Sequence, residues 1–353
     1  MSLDAFRGMT IASMMLVNNA GNWDRVYAPL LHASWNGWTF TDTVFPFFIW
    51  ISGVSMTFSF AKRVESGADR GKLLLHTLRR AAMIFLLGML LNGFPLYNLA
   101  TIRIPGVLQR IALCYFFAGL IFLYTSRRVQ TWLAFGFLIA YWALMMFVPV
   151  PGGAAGVLEK EGNLAQYVDS LFLTGHMYSA TKTWDPEGIL STLPAISTAL
   201  FGVLTGHLLR SPLASIEKVV WLFAGGNFLM FLGVWWDNSF PINKNLWTSS
   251  YTLLMAGMAM VVFACSYWLV DLRGYQKWAR PFVIYGSNAI AVYVLAGILA
   301  RLEARLQLRA PIDSALNAIA SPVNASLLHA IGYVLLLYAV AWILHRKGWF
   351  LRV

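Results

Sequence analysis

Residues 30–56 read LLHASWNGWTFTDTVFPFFIWISGVSM. The first half of this stretch is polar and contains two tryptophans, whereas residues 44–61 form an apolar run. A helix of about 17 to 25 apolar residues crosses the hydrocarbon core of a bilayer, and tryptophan is typical of the interface between membrane and water. The stretch therefore predicts an interfacial loop followed by a transmembrane helix.

The composition of the whole chain indicates the same class of protein. Of 353 residues, 59% are hydrophobic and 12% are charged, whereas a soluble domain has about 25% charged residues. These values exclude a disordered chain, a collagen, a coiled coil and a disulfide-rich secreted module. Cys114 and Cys265 lie in apolar runs without a CxxC partner, so we expect neither a disulfide framework nor a metal site.

Apolar runs separated by charged breaks predict an all-α polytopic membrane protein with one transmembrane domain over residues 1–353. No small-residue cleavage site follows the first run, so we expect a retained helix rather than a signal peptide. Ten transmembrane helices are predicted near residues 8–22, 44–61, 81–97, 107–125, 131–149, 190–209, 219–236, 247–270, 281–300 and 325–344.

The distribution of charge predicts the orientation. The net charge is +11, from 26 Lys and Arg residues against 15 Asp and Glu residues. With both termini in the cytoplasm, 17 of the 26 basic residues fall on the inner side, as the positive-inside rule requires. Topology thus explains most of the basic excess, and we expect no nucleic-acid partner. The long loops at 21–43 and 150–189 then lie outside.

Polar residues collect near the outer ends of the predicted helices, where a lipid-facing helix would not tolerate them. Asn18 ends the first helix, either as a cap or as a site residue. His32 and Asp42 form the base-like pair of the outer half. The alternative for this pair is an ordinary interfacial loop whose Thr39 or Thr41 begins the next helix.

Three further polar segments precede outer helix entrances. One such segment contains Arg103, Gln109 and Arg110. These residues either bind lipid phosphates or line a polar cavity. The Asp185-Pro186-Glu187 sequence is typical of a helix N-terminus, with a site role as the alternative. Asn243-Lys244-Asn245 has no comparable capping role, so a site role is equally open. Gly202 and Gly206 form a GxxxG motif that predicts close helix packing.

Five of these segments together resemble a known family. They are SLDAFRGMTIASMMLVNNAG at 2–21, the opening stretch at 30–56, RIPGVLQRIALCYF at 103–116, DPEGILSTLPAI at 185–196 and PINKNLWTSSY at 241–251. In this order and spacing they are similar to heparan-α-glucosaminide N-acetyltransferase and its bacterial relatives. The resemblance runs over nearly the whole chain. It implies a ten-helix, multi-pass protein of the bacterial inner (cytoplasmic) membrane.

The resemblance also implies an activity. Acetyl-CoA, made in the cytosol, would donate its acetyl group to the amino group of a glucosamine-type sugar on the periplasmic side. His32 matches the active-site histidine of the family, and Asn18 and Asp42 match residues close to it. We expect His32 to act as a general base in direct transfer. A covalent acetyl-imidazole is the alternative.

The remaining motif positions match the walls of the central cavity of the family. We expect the sugar to contact Trp35, Asn36, Asp185 and Glu187. The residues expected to bind acetyl-CoA are basic residues at inner helix ends, Arg7, Arg79 and Arg80, and cavity-wall residues, Arg103, Gln109, Arg110, Asn243, Lys244 and Asn245.

Two other functions use the same polar residues without chemistry. One is a secondary transporter for an amino sugar, which predicts paired broken helices in two halves; we find no such repeat in the sequence. The other is a non-catalytic envelope assembly protein whose tryptophan-rich loops bind a partner. For each function the lipid bilayer is a partner, and the sequence leaves a homodimer open.

Overall fold

The computed structural model describes residues 1–350, and this part of the chain contains helices and no strand. The predicted all-α polytopic class is confirmed. The α-helices are α1 Ser2–Asn18, α2 Phe40–Glu65, α3 Arg70–Gly93, α4 Val107–Tyr124, α5 Arg127–Phe147, α6 Leu164–Leu173, α7 Thr192–Arg210, α8 Ser215–Asp237, α9 Ser249–Tyr267, α10 Arg280–Ser287, α11 Ala289–Arg305, α12 Arg309–Asn317 and α13 Pro322–Arg346.

Eight of the described helices are long and apolar enough to cross a membrane, against ten predicted. They are α2, α3, α4, α5, α7, α8, α9 with its π-helical end Trp268–Leu272, and α13. α10 and α11 make a ninth span if they are counted as one, and they meet at a bend of 76°. The first predicted span corresponds to α1, whose 17 residues give about 25 Å of helix.

The boundaries of α3 differ most from the prediction. The helix begins at Arg70 rather than near residue 81, and the Asp69 side chain caps it by accepting a hydrogen bond of 2.8 Å from the Lys72 amide. Lys and Arg have high helix propensity, so the helix extends beyond the apolar run. It ends at Gly93, since the residue before Pro95 is disfavoured in a helix.

The centre of the bundle is the contact between α2 and α7, the two most enclosed spans. A Cβ atom added at Gly202 would lie 2.0 Å from the Trp50 carbonyl oxygen, and one added at Gly53 would lie 2.0 Å from that of Ala199. A Cβ atom at Gly206 would lie 2.5 Å from the Thr57 Cβ atom. The two backbones touch where only glycine fits, so the packing role predicted for the GxxxG motif is confirmed.

The helix directions gather the polar loops at one end of the bundle. α1 ends there at Asn18, and α2, α4, α7 and α9 begin there. The loops at 19–39, 94–106, 148–191 and 238–248 therefore meet at this end, which we call the outer end. Each of the four loops carries part of a motif that the sequence analysis singled out, and the first of them contains His32.

Candidate active site

A cavity of about 510 Å³ lies among these loops at the outer end. This volume is within the range of about 300–1,000 Å³ typical of ligand pockets. The helix ends and loops that form it are far apart in sequence. Its lining includes six of the predicted site residues, namely Asn18, His32, Arg103, Glu187, Lys244 and Asn245.

The His32 imidazole and the Asp42 carboxylate are in direct contact, which their spacing of ten residues alone does not establish. His32 Nδ1 lies 2.6 Å from Asp42 Oδ1. The histidine side chain is 49% exposed and the aspartate side chain 1%. A carboxylate only accepts hydrogen bonds, so Nδ1 carries the proton and donates it to Asp42. The lone pair of Nε2 is then not used by Asp42 and can accept a proton.

The start of α2 holds Asp42 in position. Asp42 Oδ2 accepts hydrogen bonds from the amides of Thr39, at 3.0 Å, and Ala33, at 3.1 Å. Thr39 and Asp42 form a capping box, which is a local consequence of the sequence Thr39-Phe40-Thr41-Asp42. The Tyr251 hydroxyl of α9 donates to the Asp42 carbonyl oxygen at 2.5 Å. One carboxylate thus begins the helix, closes the loop and orients the imidazole.

Lys244 brings a second polar group to the imidazole. Its Nζ atom lies 3.3 Å from Nδ1 and 3.4 Å from Nε2 of His32. Burial lowers the pKa of Lys244, although the carboxylates of Glu187 and Asp42 oppose the shift. An amine with such a pKa gives up its proton more easily than an exposed lysine does.

The turn at 242–248 places Lys244 above His32. Asn243 is fully buried, and its side-chain oxygen accepts a hydrogen bond from the Leu246 amide at 2.9 Å. Its Nδ2 atom donates to Asn36 Oδ1 at 3.1 Å, and the Gly37 amide donates to the Ile242 carbonyl at 2.7 Å. The two loops are therefore joined, and together they hold Lys244 beside His32.

Arg103 forms another part of the cavity wall and is held by two acids. Its guanidinium donates to Asp185 in a two-bond contact of 2.6 and 2.9 Å and to Glu187 at 2.5 Å. Although burial opposes the shift, Arg103 and then Arg110 and Lys244 lower the pKa of Glu187. Glu187 is therefore a carboxylate at neutral pH, and it is the acid of this pair that lines the cavity.

Several predicted residues support the cavity without lining it, among the residues that the structure describes. Trp35 donates from Nε1 to the Leu158 carbonyl at 2.9 Å, and its ring meets that of Trp184 edge to face. Arg110 is buried in α4 and donates to the Gly188 carbonyl at 2.9 Å. The other supporting residues are Asn36, Gln109, Asp185 and Asn243.

Arg7, Arg79 and Arg80 lie toward the inner end, away from the cavity. Arg7 donates to Ser55 Oγ at 3.0 Å and pairs with Asp4 at 3.2 Å. Arg80 lies over the ring of Tyr115 with its guanidinium carbon 5.0 Å from the ring centre, and its buried Nε atom has no hydrogen-bond partner among the described residues. Arg79 is exposed.

Comparison with known proteins now decides the family. A family model described as heparan-alpha-glucosaminide N-acetyltransferase, catalytic, matches residues 1–236, which include α1 to α7 and most of the cavity. The chain belongs to this family.

Two members of the heparan-alpha-glucosaminide N-acetyltransferase family show how far the similarity extends. The chain is 31% identical to the protein of that name from Mus musculus over 347 residues, and 30% identical to that from Homo sapiens over 348 residues. Each match covers 83% of this chain and 52% of the relative. The chain thus spans about half the length of these relatives.

Four residues of the loop at 148–191 line the cavity but were not predicted from the sequence as site residues. They are Lys160, Tyr178, Thr181 and Trp184. Of these, only Trp184 adjoins a motif, the Asp185-Pro186-Glu187 sequence. Tyr178 stacks under Arg103, with the guanidinium carbon 4.6 Å from the ring centre. A tryptophan or tyrosine in an outer loop reads as an interfacial anchor, so only the fold distinguishes these site residues.

The same loop contains a buried acid that should make the stability of the fold depend on pH. Asp169 accepts a hydrogen bond from the Ile189 amide at 2.8 Å, and burial raises its pKa to about 6, with a smaller contribution from the Asp185 carboxylate. A raised carboxyl pKa stabilises the fold at low pH, and this contribution is lost as the pH rises from about 4 to 6. The quantity to compare is the melting temperature at pH 4.5 minus that at pH 7.5. We expect Asp169→Asn to make this difference smaller than in the wild type, because the stabilisation at low pH is lost. An unchanged difference, with wild type as the reference, would contradict the assignment.

Proposed function

We propose that this protein is an N-acetyltransferase of the bacterial inner membrane. It moves the acetyl group of cytosolic acetyl-CoA to the amino group of a glucosamine-type sugar on the periplasmic side. The observation that carries the proposal is the contact of 2.6 Å between His32 and Asp42, with the imidazole facing a cavity of about 510 Å³, in a chain of this family.

The proposed task of His32 is proton removal. An amino sugar is largely an ammonium near neutral pH and must lose a proton before it attacks a thioester. With Nδ1 donating to Asp42, Nε2 is the base, and the histidine side chain is half-exposed to the cavity. Asp42 fixes the tautomer and stabilises the imidazolium that forms, without leaving its hydrogen bonds to the loop.

The proposed task of Lys244 and its neighbours is to stabilise negative charge. Acetyl-CoA supplies an acetyl thioester whose carbonyl oxygen becomes an oxyanion when the amine adds to the carbon. Collapse of this intermediate breaks the C–S bond and releases CoA as a thiolate that takes up a proton. Lys244 Nζ lies 3.3 to 3.4 Å from the imidazole nitrogens, and the amides of Asn18 and Asn245 line the same cavity. Donors positioned before the reaction stabilise such charge most strongly in a site that excludes water.

The basic residues at the inner end fit the anionic nucleotide of CoA. Arg7 and Arg80 are close enough for their charges to repel each other. The buried Arg80 Nε atom has no hydrogen-bond partner in the described chain, so a phosphate there would satisfy it. We propose that CoA enters at this end and that its thioester reaches the neighbourhood of His32. Arg79, which is exposed, would attract the nucleotide at the entrance.

Ligand-dependent thermal stability tests this proposal. We expect acetyl-CoA and CoA to raise the melting temperature of the purified protein, because a ligand at 100 times its Kd adds about 2.7 kcal/mol to the stability of the native state. Glucosamine alone should not raise it. Arg80→Gln should weaken the effect of CoA about tenfold in concentration, whereas the exposed Arg128→Gln should not. Stabilisation by the amino sugar with none by acetyl-CoA would instead support the transporter.

A further inference from the structure

A second chamber of about 290 Å³ adjoins the cavity. It lies between the end of α3, the loop at 94–106, the segment at 177–179 and α11. Arg103 and Tyr178 line both spaces. Since the Arg103 guanidinium lies 4.6 Å from the Tyr178 ring centre, this stacked pair is the wall between chamber and cavity.

The chamber contains a positive charge without a counter-ion. Arg301 of α11 lines it and is half-buried. Its NH1 atom donates to the Gly297 carbonyl at 3.0 Å. Within residues 1–350, no carboxylate lies within 4.0 Å of Arg301, whereas Arg103 has two. A half-buried guanidinium with unpaired N–H groups is a site for a phosphate or another planar or tetrahedral anion.

The wall of the chamber continues the lipid-facing side of α3. Met83, Leu86 and Leu90 are 47%, 60% and 55% exposed. Their spacing of three and four residues puts them on one face of the helix, and the next position on that face is Gly93, which lines the chamber. Leu96, 76% exposed, also lines it. The chamber therefore lies at the outer end of this exposed apolar face of α3.

We propose that the chamber binds the phosphate of an outer-leaflet lipid that carries the acceptor amino sugar. This inference rests on the proposed function and names the class of its acceptor. The phosphate pairs with Arg301, and the hydrocarbon chain lies along the face of Met83, Leu86 and Leu90. The sugar extends past the stacked Arg103 and Tyr178 into the cavity. A lipid-borne acceptor arrives by diffusion in the membrane, which matches a chamber beside the exposed apolar face of α3.

Three acceptors with the same sugar test the role of the phosphate. They are glucosamine, dodecyl glucosaminide, and the dodecyl phosphodiester of glucosamine 1-phosphate. We expect the phosphodiester to have a KM about tenfold lower than that of dodecyl glucosaminide, because a charge-assisted contact is added. Arg301→Gln should remove this difference and leave kcat nearly unchanged. Arg305→Gln, an exposed arginine one turn along α11, should keep the difference.

Binding of dodecyl phosphate, followed by the melting temperature, separates the site from the reaction. We expect binding that Arg301→Gln weakens about tenfold and Arg305→Gln leaves intact. Binding that depends on Arg301, without a KM preference for the phosphodiester, would mean that an ordinary phospholipid occupies the chamber and would overturn the acceptor assignment. Binding independent of Arg301 would overturn the site itself. If no acceptor is acetylated while Arg301-dependent binding persists, the proposed function fails and the phosphate site stands.

Discussion

Replacing His32 with alanine is expected to lower the turnover of acetyl transfer by about 10²–10⁴-fold, the usual effect of losing a general base. The binding of acetyl-CoA should change little, because the basic residues proposed to hold its nucleotide lie at the inner end of the bundle. His345→Ala, a half-buried histidine at the inner end of α13, is the matched control and should keep normal turnover. Asp42→Asn should cost less turnover than His32→Ala, because the proposed base itself remains.

Near-normal transfer by a folded His32→Ala protein would refute the assignment of the base and would restore the transporter as the leading function.

Steady-state kinetics with both substrates varied distinguishes direct transfer from the route through an acetyl-imidazole. Direct transfer requires both substrates together and gives intersecting double-reciprocal lines, whereas an acetyl-imidazole intermediate gives the parallel lines of ping-pong kinetics. We expect intersecting lines, since a deprotonated amine is already a good nucleophile.

Replacing Arg103 with glutamine is expected to destabilise the protein by about 3–5 kcal/mol, because it leaves buried carboxylates without their partner. The Asp185 side chain has no exposed area and that of Glu187 is 7% exposed. The loss would appear as a lower denaturant midpoint in detergent. Arg128→Gln, an exposed arginine at the start of α5, should change the midpoint little.

A double variant tests whether the loss comes from the carboxylates. Removing one of the stranded charges as well, in Arg103→Gln with Asp185→Asn, should recover part of the stability, and the recovery measures the coupling of the pair. A loss below about 1 kcal/mol for the single variant, as for surface ion pairs, would show that the network is not buried in the working protein.

The sequence predicted those features that rest on local chemistry. The hydrophobic runs predicted the all-α membrane fold. The sequence also offered Asp42 as a potential partner of His32, ten positions away, but left their contact open. Their contact forms because Thr39 and Asp42 cap α2 and turn the loop back on itself. The start of α3 was missed because basic residues end an apolar run without ending a helix.

Other features depend on packing between distant segments and left no local pattern. Arg103 meets Asp185 across 82 positions, and Lys244 meets His32 across 212. The predicted sugar-binding residues Trp35 and Asn36 turned out to brace neighbouring loops rather than line the cavity, since their polar atoms bond to Leu158 and Asn243. No periodicity in one chain encodes such contacts.

Acetyl transfer measured with the two substrates on opposite sides of a membrane is the most direct test of a transmembrane acetyltransferase. Vesicles would hold the protein in one orientation, verified by labelling of Ser34→Cys, an exposed loop position, in a variant without Cys114 and Cys265. Labelled acetyl-CoA would be supplied on the inner side and glucosamine on the outer side. We expect acetylated sugar on the outer side, and its formation should depend on His32. Acetylation that occurs only when both substrates share one side of the membrane would contradict this expectation.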